Sequence, residues 1–140
     1  MKSVNPYLLF NGNAEEAFTF YQSVFGVDAQ FVRFSEMGGG AGLPEGAADL
    51  IAHVAIPLGG EHMLMASDCP PGQTVNTANP AYAVSVDVES REEAERLFAA
   101  LSAGGDVTMP LDKTEWAEAF GMVTDKYSVP WMIGYTPAER

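Results

Sequence analysis

The sequence predicts an α+β fold made of two tandem copies of one small unit, each with a strand, a helix and three further strands. The first observation is a helix-start pattern that occurs twice, as Asn13-Ala-Glu-Glu-Ala17 and as Ser90-Arg-Glu-Glu-Ala94. The second is that a strand-like run precedes each pattern and three such runs follow each helix. Parallel α/β folds need a helix between most strands, so we expect mainly antiparallel sheets.

Both predicted helices carry signals for their two ends. Asn13 and Ser90 supply side-chain acceptors at the N-caps, and Glu16 or Glu93, three residues on, is expected to bond back to the cap's own amide. Gly26 and Gly104 predict the ends of the helices. Apolar residues recur at the spacing of a one-sided helix, namely Ala17, Phe18, Tyr21, Val24 and Phe25, then Ala94, Leu97, Phe98 and Leu101.

The predicted strands of the first module are Val4 to Phe10, Asp28 to Ser35, Leu50 to Leu58 and Glu61 to Asp68. Gly59-Gly60 predicts a two-residue hairpin turn between the last two. That turn places His53 opposite Ala66 and on the same side as Asp68, whereas a longer turn would reverse the assignment. The glycine-rich segment Met37 to Ala48 is predicted to be a loop, which either covers a binding site or is a surface loop without a function.

The second module repeats the order after a proline-rich segment, Cys69 to Pro80. We therefore predict one domain over residues 1–140, with module 1 at about 1–69, a linker at about 70–80 and module 2 at about 81–140. The predicted strands are Tyr82 to Val88, Val107 to Met109, Ala119 to Asp125 and Trp131 to Tyr135.

Composition restricts the function classes. The 140 residues are 47% apolar, enough for a core, and the formal net charge of −12 disfavours nucleic acid and anionic membrane surfaces as partners. No apolar run is long enough to cross a membrane, and Met1-Lys-Ser-Val-Asn-Pro6 lacks the apolar core of a signal peptide, so neither segment is expected. The single cysteine, Cys69, excludes an intramolecular disulfide, so we expect a cytoplasmic protein.

Several motifs together resemble the PhnB-like branch of the vicinal oxygen chelate superfamily, which includes glyoxalase I, bleomycin-resistance proteins and extradiol dioxygenases. They are Pro6-Tyr-Leu-Leu-Phe-Asn-Gly-Asn-Ala-Glu-Glu-Ala17, Phe20-Tyr21, Phe25-Gly26, His53, Leu64-Met-Ala-Ser-Asp68, Trp116-Ala-Glu-Ala-Phe-Gly-Met-Val-Thr-Asp125 and Val129-Pro-Trp131. The resemblance covers nearly the whole chain. Ser128 departs from it, because the branch usually has glycine there, so that turn need not keep the family's geometry.

The resemblance implies paired βαβββ modules whose curved sheets enclose a cleft. In the metal-using enzymes of the superfamily, His, Glu or Gln from equivalent strands hold a divalent cation that a substrate chelates. Carried over, those positions fall at or beside Pro6, among Met63 to Ser67, near Ala81 and near Met132. None is a His, Glu, Gln or Asp, so we predict no metal site and no cofactor.

Three function classes follow. The first is a metal-free protein that binds a small organic molecule, as the resistance proteins of the superfamily do. The second is a divalent-metal-dependent lyase, isomerase or dioxygenase, and the third is a metal-free enzyme that uses His53 with Asp68 as its partner. The resemblance also implies a homodimer. The residues predicted to contact a ligand are Tyr7, Met65, Ser67, Trp116, Phe120, Met122 and Trp131.

Four acidic residues lie close to Trp116 in the sequence, and their role has two possible interpretations. Asp112, Glu115, Glu118 and Asp125 form either a solvated rim or a patch that attracts a cationic ligand. A methyltransferase activity is not expected, because the sequence lacks a glycine-rich strand-to-helix nucleotide motif and the α+β pattern does not suit a Rossmann-like fold.

Overall fold

The structure, a computed structural model, describes residues 1–36, 46–70, 73–78 and 80–137. It divides into two units, Met1–Val75 and Asn76–Arg140. Each unit has one helix and one four-stranded sheet in the order strand, helix, three strands, which confirms the predicted α+β class and the repeat. The boundary between the units lies inside the segment predicted to be the linker.

The first unit contains a mixed sheet with the strand order β1-β4-β3-β2. β1 runs parallel to β4, and the other neighbours are antiparallel. A short 3₁₀ turn, Phe34–Glu36, follows β2. The elements are β1 (Tyr7–Phe10), α1 (Ala14–Phe25), β2 (Gln30–Arg33), β3 (Ile51–Gly59) and β4 (His62–Asp68).

The second unit repeats this topology with the strand order β5-β8-β7-β6. Its parallel pair is β5 with β8, and its other pairs are antiparallel. The elements are β5 (Val84–Val88), α2 (Arg91–Ser102), β6 (Asp106–Asp112), β7 (Ala119–Thr124) and β8 (Pro130–Tyr135).

Each helix covers one face of its own sheet. In the first unit the Phe10 and Phe18 rings meet edge to face, with centroids 6.3 Å apart. In the second, a Cβ added at Gly121 would come within 2.6 Å of the Phe98 ring, so glycine lets α2 approach β7. Because side chains alternate along a strand, the residues between these buried ones form the opposite face of each sheet, here called the open face.

The two helices begin in different ways. Ser90 Oγ accepts a hydrogen bond from the Glu93 N–H at 3.1 Å, as predicted, but the Glu93 carboxylate accepts the N–H of Glu89 instead of that of the cap. Asn13 makes no side-chain cap bond, so that prediction is wrong. At α1 the acceptor is Asp68 Oδ1, which accepts the Ala14 N–H at 2.9 Å.

The helix ends follow the predicted glycines. Gly26 has a φ of 71°, and its N–H donates to the Gln22 carbonyl at 2.8 Å. In the second unit the helix stops at Ser102 with Ala103 extended, and Gly104 follows with a φ of 76°. Glycine adopts this left-handed conformation without the steric cost that a Cβ brings.

The predicted register of the β3–β4 hairpin is wrong by one residue. Val54, not His53, pairs with Ala66, and the register shifts between Pro57 and Gly59 before Gly59 pairs with His62. One extra residue reverses the face of every side chain beyond it. His53 is therefore opposite Ser67 on the open face, while Asp68 is on the helix side.

Two of the predicted segments fall partly outside the described residues. The predicted glycine-rich loop falls largely on residues 37–45, and residues 71, 72 and 79 of the predicted linker are also outside the described residues. Within the part that the structure describes, no helix has the length and apolar character needed to cross a bilayer.

Candidate functional site

Four rows of paired residues make up the centre of the open faces. In the first sheet, one row contains Tyr7, Met65, Ala55 and Gln30, and the other contains Leu9, Ser67, His53 and Val32. In the second sheet, the equivalent rows are Ser85, Met132, Met122 and Met109, then Asp87, Gly134, Phe120 and Asp112. We name each row after its first residue. The Tyr7 row of the first sheet is equivalent to the Ser85 row of the second, and the Leu9 row is equivalent to the Asp87 row.

On the first sheet the structure brings Tyr7 and His53 together. The Tyr7 hydroxyl lies 3.3 Å from His53 Nδ1, and the ring centroids are 5.7 Å apart. In a neutral imidazole the phenol donates to Nδ1 when the proton is on Nε2, which leaves Nε2–H as a donor for a ligand. Met65 and Ser67 are half-buried on the same face, so four predicted site residues share it.

Asp68 is not a partner of His53. Its side chain is 3% exposed, Oδ1 accepts the N–H groups of Gly12 and Ala14, and Oδ2 accepts the Ile51 N–H at 2.9 Å. The carboxylate thus joins the start of α1 to the start of β3. The predicted His53 and Asp68 pair is wrong because the hairpin register puts the two side chains on opposite faces.

The second sheet presents an aromatic pair. The Trp116 and Phe120 rings pack at 67° with centroids 5.5 Å apart, and Trp116 is 63% exposed. Met122 and Met132 are half-buried beside Phe120 on the open face. Edge-to-face aromatic pairs with one exposed member suit the contact surface of an apolar or planar ligand.

Trp131 differs from the other predicted ligand residues. Its side chain is fully buried on the helix side of β8, and Nε1 donates to Asp125 Oδ2 at 2.9 Å. Asp125 Oδ1 accepts the N–H groups of Tyr127 and Val129. Trp131 is therefore core, and Asp125, at 3% exposure, is no part of an exposed acidic patch. Burial, and to a smaller extent the negative charge of Asp125, raises the pKa of the Tyr82 hydroxyl.

The residues at the metal positions implied by the resemblance do not fit a divalent ion. Met65 and Met132 occupy equivalent places in the Tyr7 and Ser85 rows, and thioethers favour soft ions such as Cu(I). Across the described ranges, no three or more His, Cys, Asp or Glu side chains are placed to hold an ion. His62 lies five residues along β4 from Ser67, so the two histidines are separated by roughly 17 Å.

Sequence reasoning did not single out Ser85 and Asp87. Both are exposed on the open face, and Val84, Val86 and Val88 point to the helix side. The alternating Val-Ser-Val-Asp-Val pattern was the available signal, because a period of two assigns the polar residues to the face opposite the core.

Comparison with known proteins supports the same relationship. Residues 2–134 match the model of the 3-demethylubiquinone-9 3-methyltransferase family. The chain is 33% identical to protein YjdN of Escherichia coli strain K12, with 93% of this chain and 92% of YjdN covered.

Two solved structures are similar over nearly their whole length. Protein PA1353 of Pseudomonas aeruginosa is 39% identical with a TM-score of 0.84, covering 97% of this chain and 98% of PA1353. The PhnB protein of Bacillus cereus is 27% identical with a TM-score of 0.72, covering 96% and 99%.

A more distant likeness concerns the fold alone. A glyoxylase/bleomycin resistance protein/dioxygenase domain of Frankia sp. EAN1pec is 15% identical with a TM-score of 0.63, covering 97% of this chain and 96% of that domain. The motifs, the repeated topology and the family match agree. This chain belongs to the 3-demethylubiquinone-9 3-methyltransferase family, within the PhnB-like branch of the vicinal oxygen chelate superfamily.

Proposed function

We propose that this protein binds a small organic molecule on the open faces of its sheets and does so without a metal ion. The observation that carries the proposal is the chemistry of the positions at which metal-using relatives are expected to carry His or carboxylate ligands. These positions fall at or beside Pro6, among Met63 to Ser67, near Ala81 and near Met132, and none is a His, Glu, Gln or Asp. Apolar walls with few polar groups are the usual composition of small-molecule sites.

The polar groups of the site support binding through hydrogen bonds. His53 Nε2 and the Ser67 hydroxyl are on the open face, next to the half-buried side chain of Met65. These groups suit a ligand that has an acceptor, such as a carbonyl oxygen, next to an apolar part. The family name contributes nothing to this assignment, since the sequence lacks a nucleotide motif for a methyl donor.

Two measurements test the proposal. Protein purified without chelators and then dialysed against Ni²⁺, Zn²⁺ or Mn²⁺ should retain far less than one ion per chain by elemental analysis. A thermal-shift screen of small metabolites and antibiotics should find compounds that raise the melting temperature, because a ligand specific to the native state stabilises it by about 2.7 kcal/mol at a hundred times its Kd. Stoichiometric binding of any of these ions would favour the metal-dependent enzyme instead.

A metal-free enzyme is the second candidate, and the hydrogen bond between Tyr7 and His53 is the observation that favours it. A histidine held by a neighbouring hydroxyl has a defined orientation for proton transfer. With any substrate found, His53→Ala should reduce turnover at least about a hundredfold. His62→Ala is the matched control, because His62 is exposed at the far end of the hairpin. Equal rates for both variants would remove His53 from the mechanism.

We also propose a homodimer, as the family resemblance implies, and a cytoplasmic location, which the single cysteine favours. Exposed apolar side chains on the sheets, Tyr7, Leu9 and Met109 among them, would suit contact with a second copy. Sedimentation equilibrium between micromolar and millimolar chain concentration tests the assembly. A mass of 15.0 kDa at all concentrations would contradict it.

A further inference from the structure

The turn after β1 contains an Asn-Gly pair, Asn11-Gly12, and both residues are exposed. An asparagine followed by glycine is prone to deamidation, because glycine has no side chain to hinder attack by its own backbone nitrogen. In that reaction the glycine nitrogen loses its proton and bonds to the asparagine Cγ, the Cγ–Nδ2 bond breaks, and ammonia leaves. Water then opens the cyclic imide to aspartate or isoaspartate. By chemistry alone, Asn11 is a reactive residue.

The structure holds the Asn11 side chain by both of its polar atoms. Nδ2 donates to the Val75 carbonyl at 2.8 Å, and Oδ1 accepts the Val75 N–H at 2.9 Å. We call these two hydrogen bonds the Asn11 clasp. Addition to Cγ would make that planar carbon tetrahedral and move both polar atoms, and the loss of Nδ2 would remove the donor. Deamidation therefore requires the clasp to open.

The attacking nitrogen is also held. The Gly12 N–H donates to Asp68 Oδ1 at 3.0 Å, and the Asp68 side chain is 3% exposed. The nitrogen becomes nucleophilic only when it loses the proton that Asp68 accepts. A neighbouring negative charge disfavours the amide anion that this loss creates. The nucleophile and its target are thus restrained by two separate parts of the fold.

The clasp lies where the first unit ends. Val75 is the last residue of that unit and is 64 positions from Asn11 along the chain. An aspartate at position 11 would not reform the clasp, because a carboxylate has acceptors and no donor. One of its oxygens would face the Val75 carbonyl oxygen instead. Deamidation would therefore release the end of the unit irreversibly.

From these contacts we infer that Asn11 is a conditional modification site, which deamidates when the end of the first unit opens and is protected while the clasp is closed. Aspartate or isoaspartate at position 11 is then a lasting record of that opening. The inference does not depend on the proposed function, since Asn11, Gly12 and Val75 lie outside the four rows of the open faces.

The native chain gives the first test. One sample is incubated at mildly alkaline pH in guanidinium chloride and another, folded, in sodium chloride of the same ionic strength. Peptide mapping by mass spectrometry then follows the conversion of Asn11 with time. Asn11 should react at least about tenfold more slowly in the folded sample, because several hydrogen bonds must break before the attack.

Two variants at Val75 separate the clasp from folding in general. Val75→Pro removes the N–H that Asn11 Oδ1 accepts. Val75→Ala is the matched control, because it shortens the side chain and keeps both backbone partners. In the folded state, Asn11 should deamidate at least about threefold faster in Val75→Pro than in Val75→Ala. Circular dichroism in buffer shows whether each variant is folded.

Each outcome decides the inference. Equal rates for the native chain in the two solutions, or no conversion of Asn11 in guanidinium chloride, would overturn it. Equal rates for folded Val75→Pro and Val75→Ala would also overturn it, since the clasp would then give no protection. If Val75→Pro does not fold, the comparison of the native chain in the two solutions still supports or overturns the inference.

Discussion

Two buried aspartates organise the backbone of this protein, one in each unit. Asp68 accepts three backbone N–H groups, from Gly12, Ala14 and Ile51. Asp125 accepts two backbone N–H groups and the Trp131 indole. An ionised acceptor makes stronger hydrogen bonds than a neutral one, and its removal leaves buried donors without partners. The acids that hold the fold are thus distinct from the exposed acids of the open faces.

Asp68 should matter far more for stability than an exposed acid. Asp68→Asn puts an NH₂ group against backbone donors and removes the charge, so we expect a loss of about 3 kcal/mol in the free energy of unfolding. Asp87→Asn, on the open face, should change it by less than about 0.5 kcal/mol. Urea denaturation of the two variants measures the difference, and similar midpoints would contradict the structural role of Asp68.

Ser128 is the one residue other than glycine with a positive φ among the described residues, at 69°. The departure noted in the sequence thus falls on a turn that keeps the glycine conformation. This conformation costs an L-residue roughly 1–2 kcal/mol, and a glycine at position 128 would remove that cost. Glycine also gives the unfolded chain more conformational freedom, which offsets about 0.4–1 kcal/mol of the gain. Ser128→Gly should therefore stabilise the protein by about 0.5–1 kcal/mol in urea denaturation. Ser128→Ala is the control and should give no gain.

At the scale of elements, the repeat conserves topology but not the way each helix begins. α2 uses the local Ser90 cap, whereas α1 uses Asp68 from β4. The sequence signals at the two starts are nearly the same, so local pattern alone does not distinguish them. A distant acceptor that becomes available only in the folded unit decides the outcome at α1.

Alanine substitution at the two caps should expose this difference. Ser90→Ala removes the acceptor of the Glu93 N–H and should cost about 1 kcal/mol. Asn13→Ala should cost less than about 0.5 kcal/mol, because Asp68 already accepts the Ala14 N–H. Urea denaturation of the two variants measures these costs. An equal loss of stability at the two sites would mean that Asn13 caps its helix in solution.

A pH-dependent contact joins α1 to β2. The hydrogen bond from Arg33 lowers the pKa of Glu15, so the folded state favours the charged carboxylate. The resulting stabilisation is present above the unfolded pKa of about 4.3 and is lost as the pH falls through the lowered folded value. Glu15→Gln should be less stable than the native chain at pH 7, and the gap should close at acid pH. A gap independent of pH would contradict this assignment.

Most elements of the fold follow from the sequence, and the exceptions have physical causes. Alternation and helical spacing predicted both helices and the strands that pair across each sheet. The prediction took Gly59-Gly60 as a two-residue turn and did not include the bulge between Pro57 and Gly59, so the hairpin register, and with it the face of Asp68 relative to His53, was wrong. Trp131 was placed among the ligand residues on the family resemblance, and its size and aromaticity do not reveal that it lies on the helix side of its strand.

At the scale of the whole molecule, the net charge of −12 is the dominant electrostatic property. Like charges repel one another more strongly in the compact native state than in the expanded unfolded state. The ion pairs of the described residues are at least partly exposed and are worth little individually. Repulsion should therefore exceed attraction over most of the surface.

Salt should stabilise this protein. The Debye length falls from about 30 Å at 0.01 M to about 8 Å at 0.15 M ionic strength, which screens the long-range repulsion first. We expect the melting temperature measured by circular dichroism to rise between these two sodium chloride concentrations. A fall would mean that short-range ion pairs outweigh the net charge.

The distance along the chain between Ala14 and Asp68 has a consequence for biosynthesis. During translation, α1 leaves the ribosome long before its acceptor is made, because the two residues are 54 positions apart. α2 emerges with its acceptor only three positions from the amide it receives. The nascent amino-terminal unit must therefore wait for its last strand before its helix is complete, while the carboxy-terminal unit can start its helix as soon as that segment is synthesised.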